Sequence, residues 1–189
     1  MSRFRALVVL SLITHLASPL AAPAATARPL AADPACGTTF TPIAAIQGSG
    51  ATTPISGTVV TTEGVVIGDF EGAAPALGGF YLQSEAPDGD ALTSEGLFID
   101  NGSAISVTVG QRVRVTGQAT EFQAQTKLTA VSALLDCDTG TIAPTDLSLP
   151  FASSTFAERY EGMLVRFQQP LLVTETFNLG RFGQVTLAP

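Results

Sequence analysis

Three acidic residues crowd a short Gly-containing loop and form the first group with recognisable chemistry. Asp88, Asp90 and Glu95 fall within residues 84–96. Carboxylate clusters of this sort suit calcium, which accepts about six to eight oxygen ligands in flexible geometry. The spacing is not that of an EF-hand loop, and a solvated acidic loop explains the same residues. The sequence therefore predicts either a calcium site or an acidic surface loop.

A second group combines aromatic rings with two arginines. In the segment QRVRVTGQATEF, valines alternate with Arg112 and Arg114, so a strand here would carry both guanidinium groups on one face. The segment GFYLQ would direct Tyr81 outward, with Phe98 beside it. Rings next to guanidinium groups are typical of sequence-tolerant sites for single-stranded DNA. The alternative is that the rings cover the core and the arginines pair with carboxylates.

Histidine is missing from the part of the chain that we expect to be exported. Residues 1–27 have the pattern of a signal peptide, with Arg3 and Arg5, an apolar run and a small-residue cleavage site that ends at Ala27. The one histidine, His15, lies inside that signal. Most hydrolytic mechanisms use an imidazole, so we predict no catalytic residues in this chain. The mature protein is expected to be secreted, with no membrane association after signal cleavage.

Two cysteines, Cys36 and Cys137, are the only ones in the chain. In an exported protein this number predicts a disulfide, which would tie the mature N-terminus to the end of the first domain. Two free thiols or a metal pair are the alternatives. A zinc site is not expected, because no histidine or further cysteine is present to complete it.

The exported chain is strongly acidic. Two of the nine Lys and Arg residues lie in the signal, and the seven that remain face 16 Asp and Glu, which gives a net charge of −9. No Lys or Arg occurs between Arg28 and Arg112. Because such a surface repels phosphate, the composition argues against strong, autonomous binding of nucleic acid.

The pattern of apolar residues predicts an all-β fold. From Ile55 onward, stretches rich in Val, Thr, Ile and Phe alternate with Gly-marked turns, and no stretch keeps a helical period. One short helix is expected at residues 43–47, with Thr41 as its cap and Pro42 in its first turn. Five successive strands are typical of a small OB-like barrel. We expect these strands at residues 55–69, 79–84, 96–100, 111–122 and 126–135.

Changes in composition divide the chain into five parts. They are a signal peptide at residues 1–27, a mature N-terminal segment at 28–40, an OB-like barrel at 41–138, a linker at 139–157 and a second β-rich unit at 158–189. A helical turn is expected at residues 153–161, and a hairpin turn at 178–180. Since the second unit has barely begun when the chain stops, we expect this to be the front part of a larger secreted protein.

Several motifs occur in a fixed order. They are TPIAAIQGSG at 41–50, ISGTVVTTEGVV at 55–66, GFYLQ at 79–83, TSEGLF at 93–98, VGQRVRVTG at 109–117, ERYEGMLVRF at 158–167 and NLGRFG at 178–183. Together they resemble the N-terminal half of secreted bacterial endonucleases of the ExeM/NucH type, over nearly all of the mature chain. One departure is the turn at residues 123–125, which lacks the usual glycine.

The resemblance implies an accessory, non-catalytic role. In that family an OB-like front region precedes a separate C-terminal domain of the endonuclease/exonuclease/phosphatase class, which uses magnesium or calcium. No part of that domain lies in this chain, so no catalytic residue is carried over, and no cofactor is expected beyond the possible calcium. We expect a monomer that packs against the catalytic domain or positions DNA weakly. The alternative is a secreted β-domain that binds carbohydrate or spaces its neighbours.

Overall fold

The computed structural model describes residues 35–73, 76–102 and 106–189. Within these ranges nine strands occur with two short helices and one 3-10 helix, which confirms the all-β prediction. The predicted signal peptide lies outside the described residues. No helix in the described ranges is long and apolar enough to cross a membrane.

Five strands form the main sheet, close to the positions that the alternating pattern predicts. They are β1 (Val59–Phe70), β2 (Gly79–Gln83), β3 (Gly96–Ile99), β4 (Gln111–Glu121) and β5 (Thr126–Thr139). Hydrogen bonding runs in the order β1-β2-β3-β5-β4 and returns to β1, which closes the sheet into a barrel. All neighbouring pairs are antiparallel except β3 and β5. The result is a closed sheet of five strands, the number that the sequence predicts.

The barrel interior is built by alternation along its strands. Phe80 and Leu82 on β2 are fully buried, as are Val113 and Val115 on β4. Successive residues of a strand point to opposite faces, so each of these pairs shares the inner face. Complete burial of a side chain of this size contributes about 1.5–3 kcal/mol to the stability. This interior fixes which residues of β2 and β4 are left to form a surface.

The predicted short helix, α1 (Ile43–Gln47), packs against β3 and adds its isoleucines to the core. Gln47 donates through Nε2 to a backbone carbonyl oxygen of β3 at 2.6 Å. Thr41 does not cap this helix, contrary to expectation, and Pro42 takes the capping position. The backbone N–H of Thr41 instead donates to the Thr61 carbonyl oxygen at 2.7 Å, which ties the chain to β1 before the helix begins.

The turn between β4 and β5 lies where it is expected but carries no glycine. Phe122 and Gln125 each accept a backbone hydrogen bond from the other, at 3.0 and 3.1 Å. Between them, Gln123 and Ala124 have φ values of 53° and 58°. Two-residue hairpin loops with both φ values positive favour Asn-Gly, because other residues are strained there. This turn therefore stores strain that a glycine would relieve.

After Cys137 the chain adds two small sheets. In the first, β6 (Thr145–Leu147) pairs in parallel with β7 (Val165–Phe167), and a 3-10 helix (Phe156–Tyr160) connects them. In the second, β8 (Leu172–Glu175) pairs in antiparallel fashion with β9 (Thr186–Ala188). The 3-10 helix lies within the helical turn that the sequence predicts.

The hairpin predicted around residues 178–180 is present, since β8 and β9 pair in antiparallel fashion, but a short helix, α2 (Leu179–Phe182), connects the strands instead of a tight turn. The backbone N–H of Phe182 donates to the Asn178 carbonyl oxygen at 2.9 Å, and that of Gly183 donates to Leu179 at 3.0 Å. Gly183 then ends the helix with a left-handed φ of 67°. The Asn-Leu-Gly pattern thus marks the start of a helical turn at the tip of the β8–β9 hairpin.

Candidate functional site

Cys36 and Cys137 form a disulfide, as predicted. The bond joins the segment before α1 to β5, with 5.6 Å between the two Cα atoms. Close to it, the backbone N–H of Gly37 donates to Oε1 of Glu63 on β1 at 2.9 Å. Residues 36–40, which we call the N-terminal cover, are therefore held against β1 and β4.

Arg114 lies beneath the N-terminal cover. Its side chain is 4% exposed and forms an ion pair with Glu63, its register partner on β1. Nη1 also donates to the Thr38 carbonyl oxygen at 3.0 Å, and Nη2 donates to that of Thr39 at 2.8 Å. The expectation that Arg114 projects freely beside Arg112 is therefore wrong, because the disulfide holds another part of the chain over it.

Arg112 is partly exposed, but its guanidinium is paired with Glu85. Its register partner on β1 is Val65, whereas Tyr81 lies opposite Gly68, on the other side of the same strand. Three residues along a strand correspond to roughly 10 Å. The structure therefore separates Arg112 from the tyrosine that we expected beside it.

The two predicted aromatic residues do come together. Tyr81 and Phe98 are register partners on β2 and β3, and their ring centroids lie 4.9 Å apart. Phe70 meets Tyr81 edge-on, with a centroid distance of 5.9 Å. Phe98 is only 5% exposed and so supports the cluster from below. The Tyr81 hydroxyl accepts a hydrogen bond from Nε2 of Gln125 at 3.0 Å, which fixes the orientation of its ring.

An open apolar groove of about 410 Å³ borders these rings. Ile67, Phe70 and Tyr81 form one wall, and Met163 and Leu164 form the other. Pockets with apolar walls and a few polar groups are the usual form of a small-molecule site. Sequence reasoning missed this groove because the pattern assigns its second wall to a separate unit, and no periodicity indicates that the two would meet.

The acidic loop is organised by its own hydrogen bonds. Oδ1 of Asp88 accepts the backbone N–H of Asp90 at 2.7 Å, and Oε1 of Glu95 accepts that of Asp88 at 2.6 Å. Oδ1 of Asp90 in turn accepts the N–H of Leu92 at 2.9 Å. Among the residues that the structure describes, no three Asp, Glu, His or Cys side chains are arranged to hold a metal ion. The geometry favours the acidic surface loop over the calcium site.

All six Lys and Arg side chains in the described ranges interact with a carboxylate or an aromatic ring. Two lie over phenylalanine rings, Arg159 over Phe156 and Arg181 over Phe182. A nucleic-acid surface needs a cluster of cations that can meet phosphates, and this arrangement does not present one. The other four form the ion pairs Arg112–Glu85, Arg114–Glu63, Lys127–Asp100 and Arg166–Asp146.

A carboxyl group with raised proton affinity lies beside the groove. Glu161 follows the 3-10 helix, and its Oε1 accepts the backbone N–H of Thr126 at 2.7 Å. Burial raises the pKa of Glu161 to about 7, and the nearby charges of Glu158 and Glu121 add to the rise. Hydrogen bonds from Thr126 and Gln47 act in the opposite direction. Nothing in the sequence around Glu161 indicated this, because the groups that act on it come from distant parts of the chain.

The last hairpin exposes a concentration of apolar side chains. Contiguous exposed apolar surface often marks a site of interaction with another protein or domain. Phe177 is the most exposed member, at 88%. We call this surface the hairpin patch, and it consists of Leu172, Val173, Phe177, Leu179, Phe182, Val185 and Leu187.

No family model, curated protein or solved structure matches the chain. Indications of function are therefore local, and three features supply them: the engaged cations, the groove beside Tyr81 and the hairpin patch.

Proposed function

We propose that this chain is a non-catalytic accessory domain of a secreted endonuclease, and that it holds a neighbouring domain rather than binding DNA by itself. The observation that carries this proposal is the engagement of every described Lys and Arg with a carboxylate or an aromatic ring. The net charge of −9 on residues 28–189 adds a general repulsion of phosphate. The motif resemblance to the ExeM/NucH type supports a nuclease as the parent protein.

The hairpin patch is the surface that we assign to the neighbouring domain. It lies on the β8–β9 hairpin and on the connection that contains α2, and isolated two-stranded sheets are marginally stable unless something packs on them. Phe177 and Phe182 supply the large apolar rings that dominate binding energy at protein interfaces. The proposed occupant is the metal-dependent nuclease domain that the resemblance places after this region.

The proposal is tested by reading the coding DNA past Pro189 and expressing the encoded downstream domain separately. That domain should bind the purified accessory domain in isothermal titration calorimetry. Phe177→Ser combined with Phe182→Ser should weaken binding about tenfold or more, since central aromatic contacts carry most of an interface's affinity. Phe122→Ser is the matched control, because Phe122 is 56% exposed and lies outside the hairpin patch. No binding, or equal weakening by the control, would contradict the proposal.

A second candidate function is favoured by the groove beside Tyr81. We propose that a carbohydrate stacks on the Tyr81 ring, whose orientation is fixed by the hydrogen bond from the Gln125 amide to its hydroxyl. The chain has two tyrosines and no tryptophan, so the fluorescence of a Tyr160→Phe variant reports Tyr81 alone. Bacterial polysaccharides should change that fluorescence with saturation if this candidate is correct. An unchanged signal across a panel of acidic and neutral polysaccharides would exclude it.

A further inference from the structure

Residues 158–164 lie across the rim of the barrel, and we call them the strap. The carbonyl oxygen of Glu161 accepts a hydrogen bond from Ser94 Oγ at 2.7 Å, and the backbone N–H of Leu164 donates to Gln83 Oε1 at 2.8 Å. Between these bonds Gly162 lies directly against Gly96, where an added Cβ would overlap the Gly162 backbone. The strap therefore cannot move without breaking specific contacts with β2 and β3.

Two carboxyl groups converge on Thr126 at the start of β5. Oε1 of Glu161 accepts the Thr126 backbone N–H, and Oε2 of Glu121 accepts the Thr126 hydroxyl at 2.9 Å. Glu121 Oε2 also accepts the N–H of Thr53 at 3.2 Å. The other carboxylate oxygen of Glu121 is buried and has no hydrogen-bond partner within the described ranges. The strap is thus attached at a point where negative charge is already poorly compensated.

The charged groups that act on Glu161 are acidic. Glu158 approaches it from the 3-10 helix and Glu121 from the end of β4. Charged residues on the other adjacent elements are engaged elsewhere. Glu95, next to Ser94, accepts the N–H of Asp88, and Lys127, next to Thr126, pairs with Asp100. An ionised Glu161 would therefore place further negative charge in a partly buried site that already contains it.

The strap also forms one wall of the groove. Gly162, Met163 and Leu164 follow Glu161 directly and face Tyr81 across the opening. A displacement of Glu161 from Thr126 would carry these residues with it. The groove and the carboxyl group are therefore mechanically connected through consecutive residues of the backbone.

We propose that protonation of Glu161 latches the strap onto the barrel, and that ionisation of Glu161 beside Glu121 and Glu158 loosens the strap and reshapes the groove. The protonated carboxyl still accepts the Thr126 N–H through its carbonyl oxygen and adds no charge. The pKa of about 7 places the change near neutral pH, where modest acidification of the surroundings moves the strap from one state to the other. This inference does not depend on which molecule occupies the groove.

The test is an NMR titration of the purified protein from about pH 5 to about pH 8.5, with the glutamate carboxyl carbons and backbone amides labelled. Glu161 should titrate with a midpoint near 7, and the amides of Gly162, Met163 and Leu164 should shift with the same midpoint. Hydrogen exchange at Leu164, corrected for the intrinsic effect of pH, should become about fivefold faster or more above that midpoint.

Variants distinguish the effect of Glu161 ionisation on the strap from general effects of pH on the protein. Glu161→Gln should keep the strap amides in their low-pH positions throughout the titration. Glu121→Gln should lower the midpoint of Glu161 and serves as the second test if Glu161→Gln does not fold. Glu175→Gln, outside the strap, should leave the midpoint unchanged. A Glu161 midpoint near the ordinary glutamate value of 4.5, or equal exchange at Leu164 on both sides of the midpoint, would overturn the proposal.

Discussion

Arg114 on β4 and Glu63 on β1 form an ion pair that is sealed by the backbone of the N-terminal cover. The pair is almost fully enclosed, and Arg114 donates further hydrogen bonds to the carbonyl oxygens of Thr38 and Thr39. Glu63 accepts the N–H of Gly37 from the same segment. The strand pattern places this guanidinium group on the surface, but in the structure it links the N-terminal cover to the barrel.

Replacement of Arg114 should cost far more stability than replacement of Arg112. Arg114→Ala leaves Glu63 buried without its partner, and breaking a buried pair in this way costs about 3–5 kcal/mol. Arg112→Ala removes a partly exposed pair with Glu85 and should cost about 0–1 kcal/mol. Urea unfolding of both variants measures the difference. Equal losses would show that Arg114 is not the structural link described above.

Removal of the disulfide should destabilise the protein and reduce the contribution of Arg114 to its stability. The double change Cys36→Ser/Cys137→Ser should cost roughly 2–5 kcal/mol, because the unfolded chain regains the freedom of a long loop. With the N-terminal cover released, Arg114→Ala should cost less than it does in the parent protein. A double-mutant cycle by urea unfolding measures this coupling. If the stability losses from Arg114→Ala and from removal of the disulfide are strictly additive, the N-terminal cover stays over Arg114 even when the disulfide is absent.

A glycine in the turn between β4 and β5 should raise stability. Ala124 has a φ of 58°, a conformation that costs a residue with a side chain roughly 1–2 kcal/mol. Because glycine also adds entropy to the unfolded state, Ala124→Gly should give a net gain of about 0.5–1 kcal/mol. Ala133→Gly on β5 is the control and should lose a similar amount. Thermal unfolding distinguishes the two, and a loss in both variants would contradict the turn assignment.

The stability of the protein should depend on pH through Glu161. The folded pKa of about 7 lies above the ordinary 4.5, so the folded state keeps a proton that the unfolded state releases. The resulting stabilisation is fully present below about 4.5, decreases as pH rises and is lost above about 7. Glu161→Gln should remove this slope, and the difference between the two unfolding curves isolates it from other carboxylates. Parallel curves for both proteins between these pH values would show that Glu161 titrates normally.

The sequence predicts those parts of the fold that depend on local pattern. The alternation around Val113 and Val115 predicts β4 and identifies its inner face. The run Pro-Ile-Ala-Ala-Ile-Gln-Gly predicts α1. Patterns of this kind reflect which side of an element is buried, and they say nothing about what covers the opposite side. The disulfide was predictable because two cysteines allow only one pairing and the sequence predicts export, which favours its formation.

The parts that sequence reasoning could not reach depend on contacts between distant residues. Arg114 is covered by carbonyl groups of Thr38 and Thr39, which precede it by 76 and 75 residues. Glu161 meets Thr126 across 35 residues of chain, and its neighbours decide its pKa. Such contacts follow from how the elements close on each other, so local periodicity does not encode them.

We propose that this domain neither cleaves DNA nor binds it autonomously, and one measurement tests both parts of that proposal. A fluorescein-labelled single-stranded oligonucleotide is titrated with the purified protein at low salt in the presence of magnesium, calcium or manganese. Binding would raise the anisotropy and cleavage would lower it. We predict no change in either direction, because the described cations are engaged and no three Asp, Glu, His or Cys side chains in the described ranges are arranged to hold a metal ion. A rise that Arg112→Ala abolishes, or a metal-dependent fall that Asp88→Ala abolishes, would contradict the claim.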